Sequence, residues 1–253
     1  MNMIQNLTCN LVCGFTKIAS SPRNRPLETS EIKLFKIKIS AYLEVVPNLR
    51  QLLNPNEMSR AERFYFERDK NRFIICRALL KLILKEETKQ DILNINIEAG
   101  INKKPYLTSH PQLFFNVSHS GDYAIIAIDN QPVGVDVEFI DAHQNVVEIM
   151  PEVFKNTEID TVLNANDENY TFYKFWTRKE AIAKASGKGI DTHFLKIPAL
   201  EGSHTIKAAW VSGIENLQVL SFDLDEHYIA AIAFQRSEPY ANHWAFHPIP
   251  SIK

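Results

Sequence analysis

Two carboxylates separated by one valine, Asp136 and Glu138, end a hydrophobic stretch of the sequence, and a third, Glu180, follows in the later segment FWTRKEAIAKASGKG. Residues two apart on an extended strand point to the same side, so the first two can face one ion. All three offer oxygen, which suits Mg²⁺, and the His and Cys ligands typical of zinc are missing from the set. The spacing therefore indicates a magnesium site. Because such an ion completes its shell with water and phosphate oxygens, it also indicates a phosphate-containing substrate.

Several side chains near these acids in the sequence could hold a phosphate. Lys184 lies four residues after Glu180, on the same face of a predicted helix. The full set of candidate donors comprises Lys104, Ser118, His119, Arg178, Lys179, Lys184 and Lys188. Gly187 and Gly189 would allow a ligand to approach the backbone closely.

Each of these features also has a purely structural interpretation. A strand that ends in Asp-Val-Glu is typical of a solvated face, and Glu180 with Lys184 is typical of an exposed ion pair worth roughly a few tenths of a kcal/mol. His119 alone is more typical of a hydrogen-bonded structural histidine than of a catalytic one. The aromatic stripe on the same helix, which predicts packing in a core, comprises Phe172, Phe175 and Trp176.

The composition is that of an ordinary globular protein. With 253 residues, 45% of them hydrophobic, the chain suffices for one large domain or two small ones. The formal net charge of -2 implies no general affinity for nucleic acid. An odd number of cysteines, Cys9, Cys13 and Cys76, argues against a disulfide framework. The sequence shows no signal-peptide pattern and no apolar run of membrane-spanning length, so we expect a cytoplasmic protein without membrane contact.

The first part of the chain predicts a loop over residues 20–30, a half-buried strand over 31–40 and then two helices. The first helix begins at an Asn54 cap, with Pro55 in its first turn and Glu57 three residues after the cap. The second carries Phe73, Arg77, Leu80 and Leu84 at helical spacing. A connecting loop is expected over 95–112, where a Lys-Lys-Pro sequence interrupts regular structure.

The second part predicts strands over 123–128 and 133–137, joined as a hairpin by residues 129–132. Helices are expected over 148–164 and 169–186, the latter ended by glycine. Three short strands over 205–210, 217–222 and 227–234 follow, and then a proline-rich surface tail over 239–253.

Two weak internal similarities, each with an offset of about 100 residues, suggest a duplication. CRALLKLI at 76–83 resembles TRKEAIAK at 177–184, and DYAIIAI at 122–128 resembles HYIAAIA at 227–233. They predict two similar α+β halves with a cleft between them, an N-terminal half over 1–130, ordered from about residue 30, and a C-terminal half over 131–253 that carries the three acids. Because one chain then forms both sides of its cleft, we expect a monomer.

Taken together, four segments resemble one known family. LNPNEMSRAERFYFERDKNRF, KKPYL, FNVSHSGDYAIIAIDNQPVGVDVE and FWTRKEAIAKASGKGI are similar to the 4'-phosphopantetheinyl transferases of the larger, two-halved type. The resemblance implies an α+β fold with pseudo-twofold symmetry. It also implies Mg²⁺-dependent transfer of the phosphopantetheine arm of coenzyme A to a serine of an apo acyl or peptidyl carrier protein, with release of adenosine 3',5'-bisphosphate, in lysine biosynthesis or secondary metabolism.

The resemblance also implies roles for individual residues. Asp136, Glu138 and Glu180 match the family's magnesium ligands, and Glu180 also matches a residue that helps to deprotonate the attacking serine. Lys184 matches a lysine on phosphate, and His119 is expected beside it in the catalytic group. The remaining matches to coenzyme A contacts are Arg60 near the 3'-phosphate, Lys104, Pro105, Asn116, Ser118 and His119, with Arg72 as an addition. The carrier protein is expected to dock near residues 140–175.

The sequence departs from the family pattern at three positions. Glu57 stands where some members have a basic residue, Phe73 where some have a threonine near adenosine, and Lys103 where a glycine usually precedes Lys-Pro.

Two other functions remain open at this point. One is a non-catalytic module that binds carrier proteins or coenzyme A, and the other is a magnesium-dependent hydrolase of phosphate esters.

Overall fold

The fold is built from two β-sheets that share an apolar layer and carry a long helix each on their outer faces. The computed structural model describes residues 19–20, 32–100, 102–187, 189, 194–200, 202–204, 217–235 and 245–251. The predicted loop over 20–30, the predicted strand over 205–210, Cys9, Cys13 and Lys188 lie outside these residues, apart from Ser20 at the edge of that loop. Mixed helix and sheet agree with the predicted α+β class.

The first sheet has five strands in the order β1-β11-β2-β6-β5. These strands are β1 (Ala19–Ser20), β2 (Lys33–Lys38), β5 (Phe114–Ser120), β6 (Tyr123–Asp129) and β11 (Ala245–Phe246). A helix, α3 (Glu67–Thr88), covers its outer face, where Ile74, Ile75 and Leu79 pack with Phe35 and Ile126 in one buried cluster. Each fully buried Leu or Ile of this kind contributes roughly 1.5–3 kcal/mol.

The second sheet has four strands in the order β7-β10-β9-β8, paired antiparallel. They are β7 (Val133–Phe139), β8 (Gly202–His204), β9 (Leu217–Asp225) and β10 (Tyr228–Gln235). The long helix α6 (Glu168–Ser186) packs on β7, β10 and β9. It begins with the Asp167 carboxylate accepting from the Tyr170 N–H (2.8 Å) and ends at Gly187 in the left-handed conformation.

The inner faces of the two sheets form one buried cluster. Leu34, Ile125 and Ala127 come from the first sheet, and Val135 and Ile232 are among the residues from the second. Because side chains alternate along a strand, Ile126 on β6 faces α3 while its neighbours face the second sheet. Strand β6 is buried along its whole length, which explains its nearly continuous apolar sequence.

The remaining elements are short. Helices α1 (Val46–Arg50), α2 (Pro55–Ala61), α4 (Met150–Val153) and α5 (Asn156–Leu163) flank the long helices, and β3 (Ile97–Ala99) pairs with β4 (Pro105–Leu107). Short 3-10 helices cover Ile39–Val45, Ile92–Asn94 and Phe194–Lys196. The predicted cap of α2 is confirmed, because the Asn54 side chain accepts from the Glu57 N–H and the Glu57 carboxylate accepts from the Asn54 N–H.

The hairpin predicted between residues 123–128 and 133–137 is wrong. Strand β6 instead forms a hairpin with β5, through a turn at Gly121 and Asp122, and β7 crosses to the second sheet to pair with β10. Val133, Val135 and Val137 on β7 explain the crossing, because their side chains complete the layer between the sheets.

Four other predictions need smaller corrections. Strand β2 is buried on both faces, with Leu34 toward the second sheet and Phe35 toward α3. The segment 95–112 contains the β3–β4 hairpin, and the predicted tail contains β11, which pairs with β2. The helix predicted over 148–164 is divided into α4 and α5, because Phe154 is extended and buries its ring between them. Among the described residues, no helix is long and apolar enough to cross a membrane.

Candidate functional site

The three acids singled out in the sequence lie along the contact between strand β7 and helix α6, called here the seam. Gly134 sets how closely these elements approach. A Cβ atom at this position would lie 2.1 Å from the Ala181 carbonyl oxygen and 2.3 Å from the Ala185 nitrogen. The helix therefore rests directly on the strand backbone. Asp136 follows Gly134 on the same side of the strand, so its carboxylate enters the seam.

Asp136 is the most buried acid of the seam, with 2% of its surface exposed, so it does not lie on a solvated strand end. Its Oδ1 accepts from the Ser118 hydroxyl (2.7 Å) and from the Lys184 ammonium (2.6 Å). Its Oδ2 is buried and has no hydrogen-bond partner among the residues that the structure describes. Burial raises the pKa of Asp136, and the charge of Lys184 opposes that rise.

Glu138 is half-buried at the end of β7, and its pKa is raised by burial and by the charge of Asp136. Glu180 is largely buried on α6, and burial together with repulsion from Asp136 raises its pKa to about 7. The sequence allowed an exposed ion pair between Glu180 and Lys184. In the structure the ammonium of Lys184 bonds to Asp136 instead. Asp136 raises the pKa of both glutamates, and Glu138 adds to the rise at Glu180, so the three carboxylates form a site that favours a cation.

Strand β5 supplies the other wall of the seam. Ser118 lies opposite Asp136, and Asn116 accepts through its Oδ1 from the Val135 N–H (2.9 Å). Side chains thus join the edges of the two sheets at this point. Asn116 is buried, with 5% of its surface exposed, and its amide oxygen already accepts the hydrogen bond from the backbone of β7. Ser118 also accepts from Lys184 (3.0 Å), which places it within the predicted group.

Lys104 reaches the seam from the start of β4, next to Pro105. Its ammonium donates to the Ala185 carbonyl in the last turn of α6 (2.6 Å), and burial lowers its pKa to about 8. Lys103, where the family usually has glycine, is exposed and has a φ of 61°. The left-handed region explains why glycine is favoured there.

Helix α3 brings Arg72 close to His119 of strand β5. Arg72 bonds to Asp69 (2.8 Å) and lies close enough to His119 for its charge to lower the histidine's pKa. Loss of hydration around the ring is the larger cause of that lowering of the pKa, although His119 is exposed by its surface area. The positive charge of Lys184 also lowers the pKa of His119, so the neutral imidazole is favoured.

Arg60 is exposed on α2, and its guanidinium lies over the Phe73 ring, 5.0 Å from the centroid. Arg77 approaches the same ring at 5.6 Å. Glu57, the other departure from the family pattern, is buried and faces Arg77 (3.7 Å) and the fully buried Lys81 (3.4 Å). This group lies on α2 and α3, and none of the contacts described here joins it to Asp136, Glu138 or Glu180.

Two residues of the candidate phosphate set lie elsewhere. Arg178 is buried against Ser221, to whose hydroxyl it donates (2.7 Å), and Lys179 is buried in an ion pair with Glu158 (2.9 Å). On a helix, a residue two positions before Glu180 points to the opposite side. Arg178 and Lys179 therefore fix α6 to β9 and α5, and the prediction that they hold phosphate is wrong.

Two residues that hold Glu138 were missed in the sequence. Ser120 donates to its Oε2 (2.8 Å), and the indole N–H of Trp176 points to its Oε1 (3.4 Å). A signal for Ser120 was present, since Ser118 and Ser120 repeat the spacing of Asp136 and Glu138. Trp176 was interpreted as core packing, which is confirmed for its ring but incomplete for its N–H.

The seam agrees with a magnesium ion in its chemistry. Its donors are carboxylate oxygens, one of which, Oδ2 of Asp136, is buried without a partner among the described residues. In the part of the chain that the structure describes, no three His, Cys, Asp or Glu side chains converge into a ready-formed ion site. The ammonium of Lys184 neutralises Asp136 in this conformation. The residues fit a hard cation, and a cation would offset the repulsion among the acids.

The fold and the seam define an α+β protein whose chemistry is suited to a phosphate-containing ligand. Comparison with known families agrees with this class. Residues 44–131 match the N-terminal model of 4'-phosphopantetheinyl transferases, and residues 132–245 match the model of the 4'-phosphopantetheinyl transferase superfamily. The chain belongs to the larger type of 4'-phosphopantetheinyl transferases, and it is an enzyme of that family.

Three relatives illustrate the similarity. The transferase psf-1 of Bacillus pumilus is 32% identical over 147 residues, which cover 57% of this chain and 62% of that protein. Sfp of Bacillus subtilis is 29% identical over 163 residues, 63% of this chain and 72% of that protein. The L-aminoadipate-semialdehyde dehydrogenase-phosphopantetheinyl transferase of Rattus norvegicus is 29% identical over 152 residues, 54% of this chain and 49% of that protein. The chain thus spans from about half to about three quarters of these relatives.

Proposed function

We propose that this protein transfers the 4'-phosphopantetheine moiety of coenzyme A to a serine of an apo acyl or peptidyl carrier protein and releases adenosine 3',5'-bisphosphate. The observation that carries the proposal is the seam itself. A buried carboxylate, Asp136, is bonded to Lys184 and Ser118 and lies beside two further acids, within a chain of this family. Such a group of charges suits a diphosphate and a cation together.

In the proposed site, Asp136, Glu138 and Glu180 hold Mg²⁺. The family membership and the oxygen-only donor set support this assignment. When bound, the ion neutralises charge on the diphosphate and on the leaving group. The orphan Oδ2 of Asp136 supports it further, because a buried carboxylate oxygen without a donor is costly unless a ligand satisfies it.

The reaction we propose is an in-line displacement at phosphorus. The serine oxygen of the carrier attacks the phosphorus that bears the pantetheine arm, and the bond to the other phosphate of the diphosphate breaks. Lys184 offsets the negative charge that grows on the leaving group. The serine proton passes to Glu180 directly or through water, and a pKa of about 7 suits a base at neutral pH.

The coenzyme A contacts in the proposal are distributed over β5, β4, α2 and α3. Ser118 and His119 on β5 meet the phosphates, with Asn116 holding β5 against β7, while Lys104 and Pro105 approach from β4. Arg60 receives the 3'-phosphate, and Arg72 adds positive charge beside His119. The mostly neutral state of His119, supported by its lowered pKa, makes it a hydrogen-bond donor or acceptor.

We further propose that the two sheet-and-helix layers are related by a pseudo-twofold axis and that the protein acts as a monomer. The sequence similarities support the first point, because one pair lies on α3 and α6 and the other on β6 and β10. Both β6 and β10 lie between two antiparallel neighbours. The carrier protein would dock near 140–175, where Val147 and Leu163 are exposed.

The test is to incubate the protein with Mg²⁺, coenzyme A and a panel of apo acyl and peptidyl carrier proteins and to measure the intact mass of each carrier. We expect at least one carrier to gain the mass of a single phosphopantetheine group, attached to one serine. If the folded protein modifies no carrier, the transferase proposal fails. Breakdown of coenzyme A without any carrier would favour the hydrolase, and binding without turnover would favour the non-catalytic module.

A further inference from the structure

Glu138 is held at both of its carboxylate oxygens, each by a different element of the fold. The Ser120 hydroxyl on β5 donates to Oε2 (2.8 Å), and the Trp176 indole N–H on α6 points to Oε1 (3.4 Å). Asp136, by contrast, has its two side-chain partners, Ser118 and Lys184, on one oxygen. Free rotation about the bonds of a glutamate side chain would otherwise spread its carboxylate over several orientations.

Both donors are themselves fixed. The Ser120 oxygen accepts from the Phe139 N–H (3.0 Å), so its own hydrogen is directed to Glu138. The Trp176 ring is stacked with Phe172 at an interplanar angle of 10° and tilted against Phe194 at 5.5 Å between centroids. The two donors therefore present their hydrogens from rigid positions on opposite sides of the seam.

We infer that Ser120 and Trp176 are positioning residues that fix the orientation of the Glu138 carboxylate for the bound cation. This inference rests on the proposed role of Glu138 in holding Mg²⁺. One hydrogen bond on each oxygen leaves further lone pairs available to the ion. Loss of such a partner typically weakens metal binding by roughly 10- to 100-fold. Neither Ser120 nor Trp176 touches the substrate in this account.

The test uses Mn²⁺ as a probe and measures its dissociation constant for the full-length protein by electron paramagnetic resonance, without coenzyme A. We expect Ser120→Ala to weaken Mn²⁺ binding about 10- to 100-fold. Trp176→Phe, which keeps an aromatic ring but removes the N–H donor, should weaken it by up to about 10-fold. Ser120→Thr should restore most of the affinity because it keeps a hydroxyl. Ser109→Ala, which removes an exposed serine bonded to Gln90, is the matched control and should have no effect.

Steady-state kinetics provide the second readout. The Mg²⁺ concentration for half-maximal rate should rise in Ser120→Ala and Trp176→Phe, while the KM for coenzyme A and the kcat at saturating Mg²⁺ stay near those of the unchanged protein. A structural role alone would lower kcat and thermal stability without moving the Mg²⁺ dependence. If Ser120→Ala does not fold, Trp176→Phe and Ser120→Thr decide the matter.

The outcomes separate this inference from the function on which it rests. If Glu138→Gln leaves Mn²⁺ affinity unchanged, the metal assignment of Glu138 fails. If Glu138→Gln weakens binding but both Ser120→Ala and Trp176→Phe bind Mn²⁺ like the unchanged protein, the positioning role is overturned while the proposed function stands. An equal loss in Ser109→Ala would also overturn it.

Discussion

The two long helices cover their sheets in different ways. Helix α3 packs through large aliphatic side chains such as Ile74, Ile75 and Leu79, which fill the space above the first sheet. Helix α6 packs through Ala181 and Ala185 onto Gly134, so its backbone lies against β7. Because small residues let the two backbones approach closely, the neighbouring polar side chains Asp136 and Glu180 are buried between helix and strand. The α6 layer thus gains a site for chemistry where the α3 layer gains a thick aliphatic core.

Replacing Gly134 should erase this difference most completely. A Cβ at this position would meet backbone atoms at 2.1 and 2.3 Å, so Gly134→Ala must push α6 off the sheet. We expect a loss of about 3 kcal/mol or more in the free energy of unfolding, measured by urea denaturation, because overpacking against backbone cannot relax by rotating a side chain. Gly100→Ala, whose Cβ would lie 3.6 Å from the Lys104 carbonyl oxygen, is the matched control. A mild effect at Gly134 would refute the close packing.

Two lysines on α6 separate stability from catalysis. The side chain of Lys179 is fully buried with Glu158, while that of Lys184 is 28% exposed and reaches Asp136. We expect Lys179→Met to lower the free energy of unfolding by about 3 kcal/mol but to leave transfer by the folded fraction intact. Lys184→Met should lower kcat about 10²- to 10³-fold. Denaturation curves and carrier modification rates on both variants check the contrast, and equal kinetics would contradict it.

The pH dependence of the seam should follow Glu180. Its folded pKa of about 7 lies above the ordinary value of 4.5, so the folded state binds more protons between these values. In EDTA, the free energy of unfolding should therefore fall as the pH rises from about 4.5 to about 7. Mg²⁺ affinity should rise over the same range, because protons compete with the ion. Urea denaturation at several pH values should show that the free energy of unfolding changes less steeply with pH in Glu180→Gln than in the unchanged protein. Equal pH dependence in the two proteins would show that Glu180 is not its origin.

The ends of the two helices offer the smallest contrast. Helix α3 ends at Lys89 with a φ of 57°, and α6 ends at Gly187 with a φ of 70°. A residue with a Cβ is strained in this region by roughly 1 kcal/mol. Lys89→Gly should therefore stabilise the protein by about that amount, and Gly187→Ala should destabilise it by a similar amount. Thermal melts measure both changes. If the melting temperature shifts in the same direction in both variants, the left-handed conformation at the two helix ends does not explain the stability changes.

The parts of the fold that the sequence predicted depend on local signals. The Asn54 cap, the spacing along α3 and the glycine at the end of α6 are each encoded within a few residues. The crossing of β7 to the second sheet is not local, because it depends on valines that fit a layer formed by strands from both ends of the chain. The pairing of β11 with β2 joins residues 246 and 34, and no short segment of sequence specifies that contact.

The candidate site was predicted in its acids but not in their supports. Asp136, Glu138, Glu180 and Lys184 were marked by residue type and spacing, and the structure brings them to one seam. Arg178 and Lys179 were assigned to it on charge alone, although helical periodicity separates Arg178 from the Glu180 face. Gly134 was not singled out in the sequence, because its role depends on the close approach of α6 to β7.

We propose that the seam between β7 and α6 performs the transfer of phosphopantetheine. Its most direct test is the initial rate of phosphopantetheine transfer, followed by the intact mass of a modified carrier, for the unchanged protein, Asp136→Asn and Lys179→Met at equal folded concentrations. We expect Asp136→Asn to abolish the mass gain while Lys179→Met retains it. Transfer by Asp136→Asn at the rate of the unchanged protein would contradict the claim.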